Sequence, residues 1–442
     1  IEDHTAHFES FCEALKTIEW SAILDQCGIE KAQIEEAAEI YCQADSSIIW
    51  WGMGLTQHKN GVGNIQEVVN LLLLKGNIGR DGAGACPVRG HSNVQGDRTM
   101  GIVEKPSDAF LDRLEKAMRF QAPREHGFDT VEAIHAMADG HAKVFFAMGG
   151  NFVAAAPDTA YTSQALQNCD LTVQVSTKLN RSHLITGQEA LIFPCLGRSE
   201  IDLQKSGPQF VSCENSMSIV TRSQGHLKPA SPHLRSETDI VALMAQHTLG
   251  NDSVDWLSLR DDYDQIRNLI EQVVVGFENY NERIRTSDGF VLPNTARERV
   301  WNTASQKAEF TVHPLADIQL EPNQYLMGTI RSHDQYNTTI YGLDDRYRGI
   351  FGERKIIMMS AHDIQESGFV EGQLVDITSH FQREERCIEG FSIVEQDIPI
   401  GCVFTYFPEA NPLIPAKSVA DLSNTPTSKS VIVSIQASAR LL

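Results

Sequence analysis

The sequence lacks the features of several large classes of protein. Its longest apolar runs, VVNLLLL and SSIIWWGMGL, are far shorter than the about 20 residues that a helix needs to cross a membrane. Basic residues are scarce, since 37 Lys and Arg stand against 58 Asp and Glu, and the net charge of −21 argues against a nucleic-acid partner. This charge does not exclude a bound anionic cofactor, because local arginines and backbone N–H groups decide such binding.

Several short motifs are also absent. The nine cysteines are dispersed without a CxxC pair, so they signal neither a zinc site nor an iron–sulfur cluster, and an odd, scattered number is typical of reduced cytoplasmic thiols. The sequence contains no GxGxxG dinucleotide fingerprint, GxxxxGKS phosphate loop, HExxH helix or GxSxG elbow. These absences argue against a simple NAD enzyme and against a nucleotide hydrolase.

The most informative segment runs from Gly84 to Gly101 and combines glycines with one proline and two arginines. Glycine weakens helices and strands and proline removes a backbone donor, so this composition predicts an irregular loop. Such a loop can present bare N–H groups and guanidinium groups to a large anionic ligand. Arg89 is a candidate for holding a substrate oxyanion and His91 for relaying a proton. The alternatives are an arginine paired with an acidic neighbour and a structural histidine.

Alternating segments predict an α/β fold for the first part of the chain. An amphipathic helix is expected over residues 29–44, a buried strand in SSIIWWGMGL, and a helix in NIQEVVNLLLLKGN that ends at Gly76. AKVFFAMGGN, LTVQVSTKLN and GQEALIFPC are typical of further strands. Three of the strands end in small or polar residues, and ligands bind at the carboxyl ends of strands in open α/β sheets.

The pattern changes in the second part of the chain. A charged helical and loop-rich stretch begins at Asn251 and predicts a crossover. After Gln324, the segments YLMGTIRS, GQLVDITSHF, CIEGFSIVE, GCVFTYF and SVIVSIQ predict a barrel or sandwich of short strands. Polar clusters at Thr329–Tyr341, Tyr406–Pro415 and Ser423–Lys429 favour contacts with a polar ligand, with ordinary turns as the alternative.

These motifs, in this order, resemble the molybdopterin oxidoreductases of the DMSO reductase superfamily, and within them the formate dehydrogenase alpha subunits. The resemblance rests on WGMGLTQHKNG, LLLLKGNIGRDGAGACPVRGHSNVQG, VFFAMGGNF, TIRSHDQYNTTIY and the YFPEANPL…TPTSK end, and it covers nearly the whole chain. It implies a bis-(molybdopterin guanine dinucleotide) cofactor with molybdenum or tungsten. It also implies a carboxyl-terminal portion, whose parent would carry the metal ligand and a 4Fe–4S cluster upstream. No metal ligand is assigned in this chain.

The resemblance implies a fold and a domain order. We expect Rossmann-like three-layer α/β structure followed by a β-barrel of the double-psi, aspartate-decarboxylase-like type. The implied segments are the tail of an α/β domain at 1–45, a molybdopterin-binding domain at 46–250, a crossover at 251–320 and a dinucleotide-binding barrel at 321–442. The implied partners are a small-molecule substrate and an electron-transfer protein, in the cytoplasm, with neither nucleic acid nor a membrane span.

The resemblance also implies residue roles. Arg89 matches an arginine that lies near substrate in formate dehydrogenases, and His91 matches a position beside the metal centre. The implied cofactor contacts lie in turns, and they are Gly52, Gly54, Gln57, Gly90, Gly149, Gly150, Asn151, Ser176, Thr177, Lys178, Gln335, Asn337, Thr338, Asn411 and Lys429.

Two departures from the formate dehydrogenase pattern bear on substrate. The turn VSTKLNRSH lacks the acidic residue that those enzymes place on guanine, and Arg331, Ser332 and His333 stand where they carry arginine, glutamate and histidine. The implied function is two-electron oxidation of formate or a similar small anion, with this chain alone expected to be inactive. The alternatives are an oxyanion or oxygen-atom-transfer substrate on the same cofactor, and a non-catalytic binding module.

Overall fold

The computed structural model describes residues 3–338 and 340–439. Ile1, Glu2, Thr339 and the last three residues lie outside the described residues, so the ends of segments 1–45 and 321–442 and one residue of the Thr329–Tyr341 turn are not covered. The strands within the described ranges are β1 Thr5–Ala6, β2 Ile48–Trp51, β3 Gly84–Pro87, β4 Val144–Met148, β5 Leu171–Ser176, β6 Glu189–Pro194, β7 Leu203–Gln204, β8 Gly207–Pro208, β9 Val211–Glu214, β10 Ile219–Ser223, β11 Phe290–Val291, β12 Ala308–Glu309, β13 Gln324–Ile330, β14 Ile356–Met359, β15 Leu374–Phe381, β16 Glu384–Glu395, β17 Cys402–Tyr406 and β18 Val431–Ala437.

The helices of the same ranges are short. They are α1 Phe8–Leu15, α2 Trp20–Cys27, α3 Lys31–Gln43, α4 Met53–Thr56, α5 Gly61–Leu74, α6 Val94–Thr99, α7 Asp108–Met118, α8 Thr130–Ala138, α9 Phe152–Ala155, α10 Thr159–Gln167, α11 Glu237–Leu249, α12 Trp256–Asp261, α13 Tyr263–Val273, α14 Tyr280–Arg283 and α15 Ala361–Glu366. Single 3₁₀ turns lie at Arg181–Leu184, Arg346–Arg348 and Asn411–Leu413. No helix in the described part of the chain has the length and apolar character that a membrane crossing requires.

The chain divides into two compact units. Unit 1 comprises the described residues of Ile1–Pro87, Val153–Thr162 and Asn294–Leu442, and unit 2 comprises Val88–Phe152 and Ser163–Pro293. The mixed α/β architecture expected from the sequence is confirmed.

Unit 1 contains a closed barrel of six strands in the order β13, β17, β14, β16, β15 and β18. The pairs β13–β17 and β14–β16 are parallel, and the other neighbouring pairs are antiparallel. Burial alternates along β15, as expected for a strand with one face toward a core. The side chains that fill the interior are fully buried, and they include Met327, Ile357, Met359, Val375, Ile377, Ile393, Val403 and Val433. Among these strands, only β14 was absent from the sequence prediction.

The remainder of unit 1 includes the parallel pair β2–β3 and helices α3 and α5. The predicted helix over 29–44 is confirmed as α3, and α5 is followed by Gly76 with a φ of 62°. The expectation that β2 is buried is wrong, because Ile48 is 49% exposed and Trp50 is 68% exposed. The sheet has only two strands within the described chain, so β2 lacks the cover that buries a central strand.

Unit 2 contains a parallel sheet in the order β4, β5 and β6. The predicted strands AKVFFAMGGN, LTVQVSTKLN and GQEALIFPC correspond to these three strands. The central strand β5 is buried over four consecutive residues, as expected where both faces of a parallel strand are covered. Because the strands are parallel, the turns that follow β4 and β5 lie at the same edge of the sheet.

The Gly84–Gly101 segment is more regular than its composition predicts. Its first four residues form β3 and residues 94–99 form α6, so only residues 88–93 and 100–101 lie outside regular elements. Two local conditions explain the difference. The four residues of β3 form a strand because they pair in parallel with β2. In α6, Gly96 packs so closely against the Asn93 side chain that a Cβ would have no room, so glycine is required within this helix.

Candidate functional site

The irregular loop of unit 2 carries Arg89 and His91, and both are exposed. Arg89 Nη2 donates to Gln95 Oε1 at 2.8 Å, so the guanidinium is oriented by an amide rather than by the acidic neighbour that the alternative reading required. A Cβ at Gly90 would meet no atom within 4 Å. The loop therefore presents Arg89 beside open space.

Strand β9 holds this loop in place. The backbone N–H of Glu214 donates to Asn93 Oδ1 at 2.9 Å, and the thiol of Cys213 donates to the Ser92 carbonyl at 2.6 Å. Asn93 also donates to Asp97 in α6 at 3.3 Å. The glycine-rich loop is thus fixed by side chains on both of its flanks, as a preformed ligand contact requires.

The turn after β4 is built from two glycines in left-handed conformations. Gly149 and Gly150 have φ of 72° and 79°, and a Cβ at either position would meet no atom within 4 Å. Gly149 N–H donates to Val175 O at 2.7 Å, and Asn180 Nδ2 donates to Gly150 O at 2.7 Å. Conformation, not crowding, explains these glycines. The backbone remains accessible to a ligand.

The turn after β5 lies at the same edge. Ser176 Oγ donates to the Lys178 carbonyl at 2.6 Å and accepts from its N–H at 3.3 Å, which closes a tight turn with Thr177 and Lys178 exposed. In the neighbouring turn, Asn151 is 8% exposed and accepts from Ser182 Oγ at 2.9 Å. The structure therefore brings together the predicted contacts of these two turns.

His183 was missed by the sequence analysis. It is 8% exposed, and its Nδ1 lies 3.1 Å from the backbone nitrogen of Asn180. Nδ1 also lies 3.3 Å from the carbonyl oxygen and 3.2 Å from Oδ1 of Asn180, so its contacts fit either neutral tautomer. Nε2 has no hydrogen-bond partner among the described residues. A buried polar atom without a partner costs about 1–3 kcal/mol, so Nε2 suits a polar ligand atom. The available signal was the Asn180 cap followed three residues later by a histidine.

In unit 1, the carboxyl end of β13 meets Lys429 and Gln57. Lys429 Nζ donates to the carbonyl of Thr329 and, at 3.2 Å, to its Oγ1. The backbone N–H of Lys429 donates to Gln57 O at 3.1 Å, and Ser428 Oγ donates to Gln57 Oε1 at 2.7 Å. Two residues predicted from separate motifs are therefore in contact.

Lys429 lies beside a second cation without a counter-ion. Burial and, to a smaller extent, repulsion from Arg331 lower the pKa of Lys429 to about 8. Burial also lowers the pKa of Arg331, whose guanidinium lies 5.3 Å from the centroid of the Phe407 ring. Neither cation forms an ion pair with a described carboxylate. Two desolvated positive charges that form no ion pair with a described carboxylate make this a candidate anion site, which we call the anion site.

Further predicted cofactor contacts of unit 1 lie in two places, the glycines near Gln57 and the loop after β13. A Cβ at Gly52 or Gly54 would meet no atom within 4 Å, so both positions are open. In contrast, Gln335 is engaged within the protein, since its amide donates to Asn337 O at 2.6 Å and to Phe407 O at 2.7 Å. Thr338 is 6% exposed. Contacts of these residues with a cofactor remain predictions.

Asn411 also has partners within unit 1. It is 2% exposed, and its Nδ2 donates to Ala154 O at 2.5 Å. Its backbone carbonyl accepts from Asp158 N–H at 3.1 Å. The structure therefore gives Asn411 a role in joining two segments of the unit, and its predicted pterin contact remains a prediction.

One group of residues in the described chain has metal-ligand spacing. His362, Asp363 and Glu366 lie on the short helix α15, with only Asp363 buried. Exposed acidic clusters are common without a metal, and these residues lie on a helix that carries none of the predicted contacts. No metal ligand is assigned to them.

Each unit, taken by itself, offers groups that suit a ligand with phosphates or polar rings. Unit 1 offers the uncompensated cations Lys429 and Arg331, and unit 2 offers the open glycine turn and the unpaired Nε2 of His183. Each is an observation on this chain alone, and each is of the type that a dinucleotide cofactor requires.

Two protein families match parts of the chain. Residues 10–183 match the molybdopterin oxidoreductases, and residues 325–432 match the molybdopterin dinucleotide-binding domain. An uncharacterized oxidoreductase of Mycobacterium tuberculosis (strain ATCC 25618 / H37Rv) is 47% identical over 446 residues, which cover 99% of this chain and 57% of that protein. Protein YdeP of Escherichia coli (strain K12) is 45% identical over 444 residues, covering 99% and 58%.

More distant similarity reaches proteins of stated activity. Formate dehydrogenase H of Escherichia coli (strain K12) is 28% identical over 184 residues, or 39% of this chain and 26% of that enzyme. The structure of acetylene hydratase from Pelobacter acetylenicus superposes with a TM-score of 0.65 at 14% identity and covers 99% of this chain and 67% of that one. This likeness shows the fold alone. The chain spans somewhat over half the length of the curated relatives it matches across its whole length.

Proposed function

Because the chain belongs to the molybdopterin oxidoreductases, we propose that it forms part of an enzyme that oxidises formate or a similar small anion by two electrons. The family's cofactor is the molybdenum bis-(molybdopterin guanine dinucleotide), which supplies the redox chemistry when bound. The contribution of this chain is to bind and orient the cofactor and the substrate. The partial similarity to formate dehydrogenase H supports the choice of formate.

The observation that carries the proposal is the anion site of unit 1. Lys429 and Arg331 are both desolvated, neither is paired with a described carboxylate, and Lys429 is held against β13 by two contacts with Thr329. A cofactor phosphate or a pterin carbonyl would satisfy these charges. We propose that Gln57 also makes a polar contact with the cofactor. The backbone N–H of Lys429 and the hydroxyl of Ser428 hold Gln57 in place.

Unit 2 would contribute two further functions. The open turn at Gly149 and Gly150 would accept the dinucleotide against its backbone, and Nε2 of His183 would form a hydrogen bond with it. Arg89 would hold the carboxylate of the substrate, because its guanidinium is exposed, is oriented by Gln95 and forms no ion pair with a carboxylate in the described ranges. His91 remains a proposed neighbour of the metal centre.

We also propose the finer architecture that the resemblance implies. The barrel of unit 1 has two parallel strand pairs within an otherwise antiparallel closed sheet, and this supports assignment to the double-psi type. The segments 1–45, 46–250, 251–320 and 321–442 are our proposed division of the sequence. An iron–sulfur cluster and the electron-transfer partner belong to the proposal for the parent protein.

A second candidate is the same cofactor with an oxyanion or oxygen-atom-transfer substrate. The observation in its favour is Ser332, which stands where formate dehydrogenases are expected to carry glutamate. Ser332 is 4% exposed and accepts from Arg354 Nη1 at 2.9 Å, so it presents no charge to a substrate. Because a neutral serine replaces the expected glutamate, the substrate has to be tested separately from the cofactor.

The test uses the cofactor-loaded protein in its full-length form. Formate, nitrate and a sulfoxide are assayed with an artificial electron acceptor or donor, and the proposal expects turnover of formate. Arg89→Ala should reduce formate turnover at least 100-fold while molybdenum content stays unchanged, because the transition state loses a charge-assisted contact. Arg98→Ala is the matched control, since Arg98 lies in the same segment and faces Glu104 at 3.5 Å. A loaded enzyme that reduces nitrate or the sulfoxide but leaves formate unchanged would favour the second candidate.

A further inference from the structure

Four helices of unit 2 surround an apolar cavity of about 500 Å³. The helices are α7, α11, α12 and α13, and the side chains of Met100 and Met148 complete the wall. Every residue that lines the cavity belongs to unit 2, so this unit forms the cavity by itself. The volume lies within the range of about 300–1,000 Å³ that is usual for small-molecule sites.

The wall is apolar because the helices present hydrophobic stripes to the cavity. Helix α13 contributes positions i, i+3, i+4 and i+7, which are Ile266, Leu269, Ile270 and Val273. Helix α7 contributes Phe110, Leu114 and Met118 at a spacing of four residues. Part of the apolar wall remains in contact with water, since Val241 of α11 is 42% exposed and Met148 is 39% exposed. An apolar ligand would remove this surface from water.

One ionisable residue lines the cavity, and it is Glu237. Glu237 is the first residue of α11, and the start of this helix is fixed because Ser236 Oγ accepts from the Asp239 N–H at 3.2 Å. The other polar residue of the wall, Thr238, forms a side-chain hydrogen bond with Tyr263. Among the lining residues, Glu237 is therefore the candidate for a polar contact with a ligand.

The carboxylate of Glu237 has an unmet charge. No hydrogen bond or ion pair joins it to another residue within the described ranges. Its pKa is raised because neighbouring protein atoms displace water from it, and the positive charge of Arg198 offsets this effect only in part. Glu237 is nevertheless accessible, as expected for a side chain that faces a cavity rather than open water. A cation bound beside it would stabilise the ionised form.

We propose that this cavity binds a small amphipathic amine, with the apolar chain between the four helices and the ammonium group at Glu237. This inference goes beyond the proposed function, because none of the groups assigned above to the cofactor or the substrate lines the cavity. An ammonium group donates hydrogen bonds and carries the charge opposite to that of Glu237. A carboxylate ligand would face a like charge, and an alcohol would bring no charge. Affinity should therefore depend on the charge of the ligand.

The test is isothermal titration calorimetry of the full-length protein with octylamine, octanol and octanoate, whose chains are equal in length. Octylamine should bind about 10-fold or more tightly than octanol, because only the ammonium group forms a charge-assisted hydrogen bond, and octanoate should bind more weakly than octanol. Hexylamine should bind about 15-fold more weakly than octylamine, since each lost methylene reduces affinity by about fourfold.

Two substitutions locate the site. Glu237→Gln should lower the affinity for octylamine to that for octanol. Its control is Glu282→Gln, at an exposed glutamate in the first turn of α14, which should leave the affinity unchanged. Val241→Phe should weaken the binding of octylamine by about 10-fold or more, because the ring occupies the space of several methylenes. Val275→Phe is the matched control, at a valine that is 66% exposed and does not line the cavity.

Tryptophan fluorescence gives a second measurement. Trp256 lines the cavity, so octylamine should change the emission of wild type and not that of Trp256→Phe. Equal affinities of wild type for octylamine and octanol, an undiminished affinity of Glu237→Gln for octylamine, or no binding of octylamine to the full-length protein would overturn the inference. An emission change that persists in Trp256→Phe would also overturn it, because the amine would then bind elsewhere.

Discussion

Replacing Lys429 with methionine should stabilise the cofactor-free protein. Methionine has nearly the length of the lysine stem and no charge, so it removes the group that burial penalises. The pKa of Lys429 is lowered from 10.5 to about 8, mainly by burial and further by Arg331. The folded protein therefore disfavours the ammonium form that dominates at pH 7.

The magnitude follows from this shift. A difference of about 2.5 pKa units corresponds to about 3.4 kcal/mol of penalty on the folded state at pH 7. Lys429→Met also loses the hydrogen bonds to Thr329, which contribute about 1.5 kcal/mol. The free energy of unfolding should therefore rise by about 2 kcal/mol.

The sign of the pH dependence is fixed by the same values. The penalty is complete below about pH 8 and disappears as the pH rises through 10.5, because the unfolded lysine then also loses its proton. At pH 9.5 the remaining penalty is about 1.4 kcal/mol, which the lost hydrogen bonds cancel. The advantage of Lys429→Met should therefore vanish between pH 7 and 9.5.

Urea unfolding of the cofactor-free protein at pH 7 and 9.5 measures both quantities. Lys355→Met, at an exposed lysine of the same barrel, is the control and should change stability by less than about 0.5 kcal/mol at either pH. A Lys429→Met protein that is less stable than wild type at pH 7, or a difference that does not change with pH, would refute the reasoning.

Two further substitutions test other parts of the structure. Gly149→Ala should destabilise the protein by about 1–2 kcal/mol in urea unfolding, because its φ of 72° strains any L side chain, and it should lower cofactor content; an unchanged midpoint would contradict this. Burial alone would raise the pKa of Asp345, but hydrogen bonds from His333, Tyr406 and Arg348 outweigh it and lower the pKa to about 2. Asp345→Asn should cost about 2–3 kcal/mol at pH 7, and the difference should shrink as the pH falls from about 3.8 through about 2, since the wild-type carboxylate loses its advantage there. A loss that is constant down to pH 2 would contradict the role of the charge.

The strands could be predicted because their side chains carry a simple pattern. β4, β5, β15 and β18 combine apolar or alternating residues with glycine or polar turns at their ends. β14 was missed because its four apolar residues, IIMM, are buried on both faces and show no alternation. The exposure of Trp50 could not be predicted from the sequence either, because it depends on which parts of the fold pack against the faces of β2.

The site was predictable where a motif carries it and not where tertiary burial creates it. Gly149 and Gly150 follow a clear strand, so a turn with free backbone was expected. The contact between Gln57 and residues 428–429 joins segments 371 positions apart, and no local pattern specifies it. His183 and Asp345 owe their significance to burial and unpaired or converging polar atoms, which appear only in the folded chain.

The most direct test of the account is the cofactor content of the purified full-length protein. Molybdenum is measured by elemental mass spectrometry and guanine nucleotide after acid hydrolysis, for wild type, Lys429→Met and Lys355→Met. The account predicts two guanine nucleotides per molybdenum in wild type and in Lys355→Met, and a clear loss of both in Lys429→Met because the anion site has lost a cation. A wild-type protein without either component, or a Lys429→Met protein with undiminished content, would contradict it.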